Sequence, residues 1–168
     1  MRILGIDPGI AIVGYGVVDK EGNRYKTVAY DAVTTRAHTP LEERLLLVYK
    51  GIDEIIKMYK PDAMSIEELF FNNNAKTAVA VGQARGVILL AAVQNGIPIY
   101  EYTPLQVKQA LTGYGRASKS QIQQMMKSIL GLESVPKPDD VADALAIAVC
   151  HGNSMRFNSI KNFGGIML

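Results

Sequence analysis

The chain has 168 residues, 48% of them hydrophobic and 20% charged, with a formal net charge of +2. That length suits one compact core and therefore one site. Residues 1–18 are interrupted by Arg2, Asp7 and Pro8, unlike a signal peptide, and no run of about 18 uncharged apolar residues is present to span a bilayer. With Cys150 as the only cysteine no internal disulfide can form, so the expectation is a cytoplasmic protein without membrane attachment.

Residues 2–7 and 14–19 are short Ile/Leu/Val-rich runs separated by Pro8-Gly9, a pattern that predicts two antiparallel strands. A third strand over 24–34 follows the turn at Glu21-Gly22-Asn23. Leu41, Leu45, Val48, Ile52, Ile55 and Tyr59 recur at three- and four-residue intervals, which predicts a helix over about 40–59 that ends before Pro61. A fourth strand over 63–67 precedes a long Ala-, Gly- and Val-rich helix over 74–95, and a fifth strand over 97–103 follows the stop at Gly96. Thr103-Pro104 is a helix start, since threonine caps free backbone N–H groups and proline suits the first turn. That helix reaches about 111. Gly113-Tyr114-Gly115 breaks the pattern, and a helix over 118–130 comes next. Pro136 and Pro138 introduce a last helix over 139–151, where His151 would complement the negative end of the helix dipole. Hairpin strands followed by alternating strands and helices predict a mixed five-stranded α/β sheet with helices on both faces. Residues 1–152 are expected to form a single domain, with 153–168 a frayed polar tail.

Charge is segregated along the chain. No Asp or Glu occurs over residues 102–132, where Lys108, Arg116, Lys119 and Lys127 fall, and none occurs from 144 onward, where Arg156 and Lys161 fall. A cationic field of this kind brings a protein to phosphates, although a basic solvated surface reads the same way.

The acids gather at three places. Asp7 closes the first strand, where open α/β sheets put their sites, or else it bonds the backbone of an Asx turn. Glu67 and Glu68 end the fourth strand; alternation groups Glu67 with Ala63 and Ser65, and Glu68 with bulky Met64 and Ile66, which favours Glu67 as the residue facing a site. Asp139, Asp140 and Asp143 open the last helix, where the dipole favours acids in the first turn. Asp140 and Asp143 share a face, and Asp143 lies a turn deeper beside alanines, so its charge needs a partner or a metal. Carboxylates without clustered His or Cys point to Mg²⁺ or Mn²⁺. Two such ions about 3.5–4 Å apart can activate a water and stabilise the leaving oxygen of a phosphodiester.

Taken together, Gly5-Ile6-Asp7-Pro8-Gly9, Gly14-Tyr15-Gly16-Val17, Ile66-Glu67, Gly82-Gln83-Ala84-Arg85-Gly86, Val107-Lys108-Gln109, Lys119-Ser120-Gln121 and the run from Asp140 to Ala148 resemble the RuvC-type Holliday junction resolvases of bacteria. The resemblance covers nearly the whole chain and implies a ribonuclease H-like fold. It implies that Asp7, Glu67, Asp140 and Asp143 are catalytic ligands of two Mg²⁺ ions, Mn²⁺ being a possible substitute. It further implies paired symmetric nicks in four-way junction DNA, leaving 5′-phosphate and 3′-hydroxyl ends, by a homodimer that works with a RuvA–RuvB branch-migration complex in recombination and repair. Lys108 and Lys119 match basic residues near the DNA, Arg116 joins them as a DNA-binding candidate, and Phe70 matches an aromatic that contacts unpaired bases, with Phe71 a helper. The small face at Gly82, Ala84 and Gly86 is expected to build part of the dimer interface, or to pack on the chain's own sheet. Two rivals remain: an ATPase of the sugar-kinase or Hsp70 type, disfavoured by the absence of a second glycine-rich phosphate loop, and a junction-binding protein that does not cut.

Overall fold

The computed structural model describes residues 1–69 and 75–163, with side chains omitted for 75–77 and 156–163. Phe70, Phe71 and the Asn72 to Asn74 segment lie outside the described residues. The chain order is β1 (Arg2–Asp7), β2 (Ile12–Glu21), β3 (Arg24–Thr34), α1 (Leu41–Tyr59), β4 (Ala63–Glu67), α2 (Ala75–Gln94), β5 (Ile99–Tyr102), α3 (Pro104–Thr112), α4 (Lys119–Leu130) and α5 (Asp139–Phe163). The five strands form one mixed sheet in the order β3-β2-β1-β4-β5. β1 to β3 are antiparallel neighbours, joined between β2 and β3 by a tight turn at Gly22, whose φ of 58° suits glycine. β4 and β5 are parallel to β1.

Strand alternation divides the core. Leu4, Ile6, Val13, Val17, Met64 and Ile66 face α1 and α2, burying Val48, Ile52, Ile88 and Ala92. Ile3 and Val18 face the other way, toward α3, α4 and α5. The second face is unusual because much of it has no side chains. Gly5 pairs with Gly16, and Asp7 with Gly14, so three glycines form a trough across β1 and β2. A Cβ on Gly5 would stand 2.1 Å from the Ala144 carbonyl oxygen, and one on Gly16 would stand 2.5 Å from the Leu145 side chain. α5 therefore lies directly on the sheet, its alanine-rich run from Val141 to Cys150 buried. Ser65 fixes its height by donating to the Ile147 carbonyl across 3.3 Å.

The boundaries depart from expectation at the ends. β2 begins at Ile12 rather than 14, and β5 is confined to Ile99–Tyr102. α5 does not stop at 151 but runs to Phe163. His151 is therefore not a terminal cation: it is fully buried, its Nδ1 lies 2.7 Å from the Tyr102 hydroxyl, and burial pushes its pKa down to about 4. Gly152 is likewise not a stop, since it makes room for Tyr25, whose hydroxyl donates to Asn153 Oδ1 at 2.8 Å.

Candidate active site

Register and helix docking bring the distant acids together. Ile6 pairs with Ile66, so the residues that follow, Asp7 and Glu67, leave neighbouring parallel strands at the same end of the sheet. Glu67 is half-buried on the α5 side with Ser65, as its alternation predicts, while Glu68 is exposed. From the opposite direction α5 brings Asp140 and Asp143. Gly14, the cross-strand partner of Asp7, lies against the main chain of Asp140, so the first turn of α5 sits over the end of β1.

The electrostatics express that crowding. Burial, reinforced by the charges of Glu67, Asp143 and Asp140, pushes the pKa of Asp7 up to about 8. Burial and Asp143 also raise Glu67, opposed by a hydrogen bond from the Asp7 carboxyl. Asp143 is raised by burial, with Lys119 pulling the other way. With a pKa near 8, Asp7 retains a proton at neutral pH until a cation replaces it.

One cation is already supplied by the chain. Lys119, in the first turn of α4, places Nζ 3.0 Å from Asp143 Oδ2 and 3.3 Å from Asp139 Oδ2. Burial works to lower the lysine's pKa, but these contacts outweigh it and raise the value. Ser118 orients that turn by capping α4, accepting from the backbone of Gln121, which answers with its own side chain. Asp139 is held outside the acid group by Lys137 at 2.7 Å and by Gln123 at 3.3 Å, with its pKa lowered by the bonds to Lys137 and Lys119. Asp139 and Asp143 share Lys119, but only Asp139 is also paired with Lys137.

A cavity of about 250 Å³ opens beside the acids, lined by Glu67, Asp143, Lys108 and Lys119 above an apolar base that includes Val107 and Ile147. Lys108 and Lys119 thus meet at the pocket, whereas Arg116 stands exposed on the connection between α3 and α4. Sequence reasoning did not single out Thr35 and Arg44. The Thr35 hydroxyl donates to the Ile10 carbonyl and accepts from Arg44, holding the loop that follows Asp7. A hydroxyl ending β3 gives no signal of that contact before the topology is known.

Among the described residues no three carboxylate, imidazole or thiol groups stand as a finished coordination sphere. The neighbouring donors are nonetheless all carboxylate, with Glu67 and Asp143 open to the cavity, which fits a hard divalent cation rather than zinc.

A mixed sheet of this order with carboxylates at the ends of its central strands and at the helix laid across them is the ribonuclease H-like nuclease fold. Residues 3–151 match the family described as crossover junction endodeoxyribonuclease RuvC. The chain is 60% identical to the crossover junction endodeoxyribonuclease RuvC of Clostridioides difficile over 98% of both chains. Thermus thermophilus RuvC superimposes with a TM-score of 0.88 at 40% identity, covering 94% of this chain and 97% of that one. The same protein in complex with a Holliday junction substrate gives 0.90 at 40% identity, covering 94% and 96%. The chain belongs to the RuvC family of metal-dependent crossover junction endodeoxyribonucleases.

Proposed function

We propose that the chain resolves four-way DNA junctions by paired, symmetric phosphodiester hydrolysis, acting as a homodimer on recombination and repair intermediates in the cytoplasm. The observation that carries the reading is the placement of Asp7: a half-buried carboxyl at a strand end, near enough to Glu67, Asp143 and Asp140 that their charges add to its burial in pushing its pKa up to about 8. A stable fold gains nothing from four clustered acids, so their proximity is a cost that function must explain.

In this reading Asp7, Glu67, Asp140 and Asp143 hold two Mg²⁺ ions, for which Mn²⁺ can substitute. Bound there, the pair supplies a water nucleophile at neutral pH and charge stabilisation at the leaving oxygen. The chain's own residues supply the rest. Asp7 and Glu67, fixed by adjacent strands, set the floor of the site, while Asp140 and Asp143 approach from α5. Lys119 shares Asp143 until DNA arrives and is then free to face the scissile phosphate, with Lys108 beside it. Arg116 meets a phosphate farther out, and Phe70 stacks on an unpaired base at the crossover. The cut leaves 5′-phosphate and 3′-hydroxyl ends.

Two cuts related by symmetry require two sites. α2 offers the surface. Ala84 is buried in the chain's own core, but Gly82 and Gly86 have open space at the Cβ position, and Val79, Leu90 and Val93 are about half or more exposed in line with them. A helix apolar on both sides needs a second cover, and the same face of a second copy provides it. Resolution is coupled to a RuvA–RuvB branch-migration complex.

The reading is tested by incubating the protein with Mg²⁺ and a junction labelled in each strand. It predicts nicks at symmetric positions in two opposed strands, with products that DNA ligase seals without further processing. Cuts in all four strands, or ends that resist ligation, would refute it.

A further inference from the structure

α4 gives Lys119 to the acidic pocket from its first turn and presents a different face to solvent. Ile122, Met126 and Leu130 are buried in the core. Gln121, Gln124, Met125 and Ser128, spaced by three and four residues on the other side, are exposed. That face floors a depression of about 440 Å³, walled by Thr112 and Tyr114 from the end of α3. A second depression of about 470 Å³ follows, sharing Gln124 and Ser128 and adding Lys127. Together they form one groove along α4, leading away from the pocket.

The groove carries amides, hydroxyls and a lysine beside the exposed Tyr114 and Met125, and none of the residues lining it is acidic. No acid occurs over residues 102–132, and of the cations in that stretch Lys127 lines the groove while Lys108 and Lys119 line the acidic pocket. The other side of the sheet is different, because α1 carries Glu42, Glu43, Asp53 and Glu54. Amides, hydroxyls and a lysine with no carboxylate opposing them are groups that grip phosphate oxygens.

We propose that this groove holds the sugar-phosphate backbone of one duplex arm beyond the cut, with Gln124, Lys127 and Ser128 contacting it. The proposal rests on the junction-cutting function above and adds a second place where DNA is held. The span is suitable. From Lys119 to Lys127 the helix rises about 12 Å, roughly three to four phosphates of one strand at 3.4 Å each. A strand whose scissile phosphate lies at Lys119 would reach Lys127 about three to four nucleotides away.

The test pairs a protein change with a DNA change. In the non-cutting Asp7→Asn chain, junction affinity is measured with and without the further substitutions Lys127→Gln and Gln124→Ala. The same measurement is repeated on junctions whose phosphates are replaced one at a time by neutral methylphosphonates over the first ten nucleotides from the cut. The groove substitutions should weaken binding about three- to tenfold and flatten the dependence of log affinity on log salt by about 0.9 for the lost lysine. Neutral phosphates about three to four nucleotides from the cut should weaken the parent and leave the groove variant indifferent. Equal affinities for the two proteins at every salt concentration would overturn the groove alone. So would methylphosphonates that cost both proteins equally, which would mean that the surface meets some other partner. Failure of the parent to bind any junction would overturn the function and the groove together.

Discussion

Gly14 and Asp140 touch only because one of them has no side chain: a Cβ at residue 14 would stand 2.1 Å from the Asp140 carbonyl oxygen. The neighbouring Asp7 and the first turn of α5 are brought into one pocket by that contact. Gly14→Ala must therefore lift the turn that carries Asp140 and Asp143. A stability loss of about 1–3 kcal/mol is expected in urea unfolding. Single-turnover cleavage should fall further, by about 10²-fold, because small displacements of reacting groups are costly. An alanine variant that cuts normally would show that the close approach is incidental.

Lys119 balances Asp143 across 3.0 Å. Replacing it with methionine keeps the stem and removes the charge, so cleavage should drop by about 10²-fold. Junction affinity should also lose about 0.9 from its salt slope. Lys119→Arg should recover part of both. A methionine variant with unchanged salt dependence would place Lys119 away from the DNA.

The proton on Asp7 has a consequence for stability. Its pKa is pushed from 3.8 up to about 8 in the folded chain. Between those values the folded state binds more protons than the unfolded state, so stability falls as pH rises. His151 acts in the opposite sense below its ordinary value of 6.5, since burial lowers it to about 4 and the unfolded chain takes up the proton first. The clean window is pH 6.5 to 8. In EDTA the Tm should decline across it, and less so in Asp7→Asn, as measured by calorimetry. Apparent Mg²⁺ affinity should rise over the same range as the competing protons leave. A Tm that climbs through the window in EDTA, with no difference between the two proteins, would contradict this.

Leu90 is 49% exposed and Val93 65% exposed on the outer side of α2. Leu90→Glu should turn a dimer into monomers by sedimentation, and the nicks should become single and unpaired. A variant that stays dimeric would move the interface elsewhere.

Much of this was legible in the chain because its signals are local. The stripe from Leu41 to Tyr59 defined α1 to within a residue, and alternation together with the family resemblance favoured Glu67, which lies half-buried on the α5 side of the sheet while Glu68 is exposed. The failures share a cause: glycine was read as a local signal where it serves a distant neighbour. Gly152 looks like a helix stop but accommodates Tyr25 from β3, and His151 before it is buried rather than terminal. Gly5, Gly14 and Gly16 look like a flexible strand pair until α5 is known to lie in their trough. The ion pair between Lys119 and Asp143 was equally hidden, since only the docking of α4 against α5 brings residues of opposite charge so far apart in sequence into contact.

The most direct measurement is strand cleavage of a four-way junction by the wild-type chain and by Asp7→Asn, in Mg²⁺ and in excess EDTA, with junction binding followed in the same samples. Cutting should require both Asp7 and Mg²⁺, while Asp7→Asn still binds the junction, because the basic surface remains. Cutting that persists in EDTA, or an Asp7→Asn chain that cuts at the wild-type rate, would show that the clustered acids do not serve a metal.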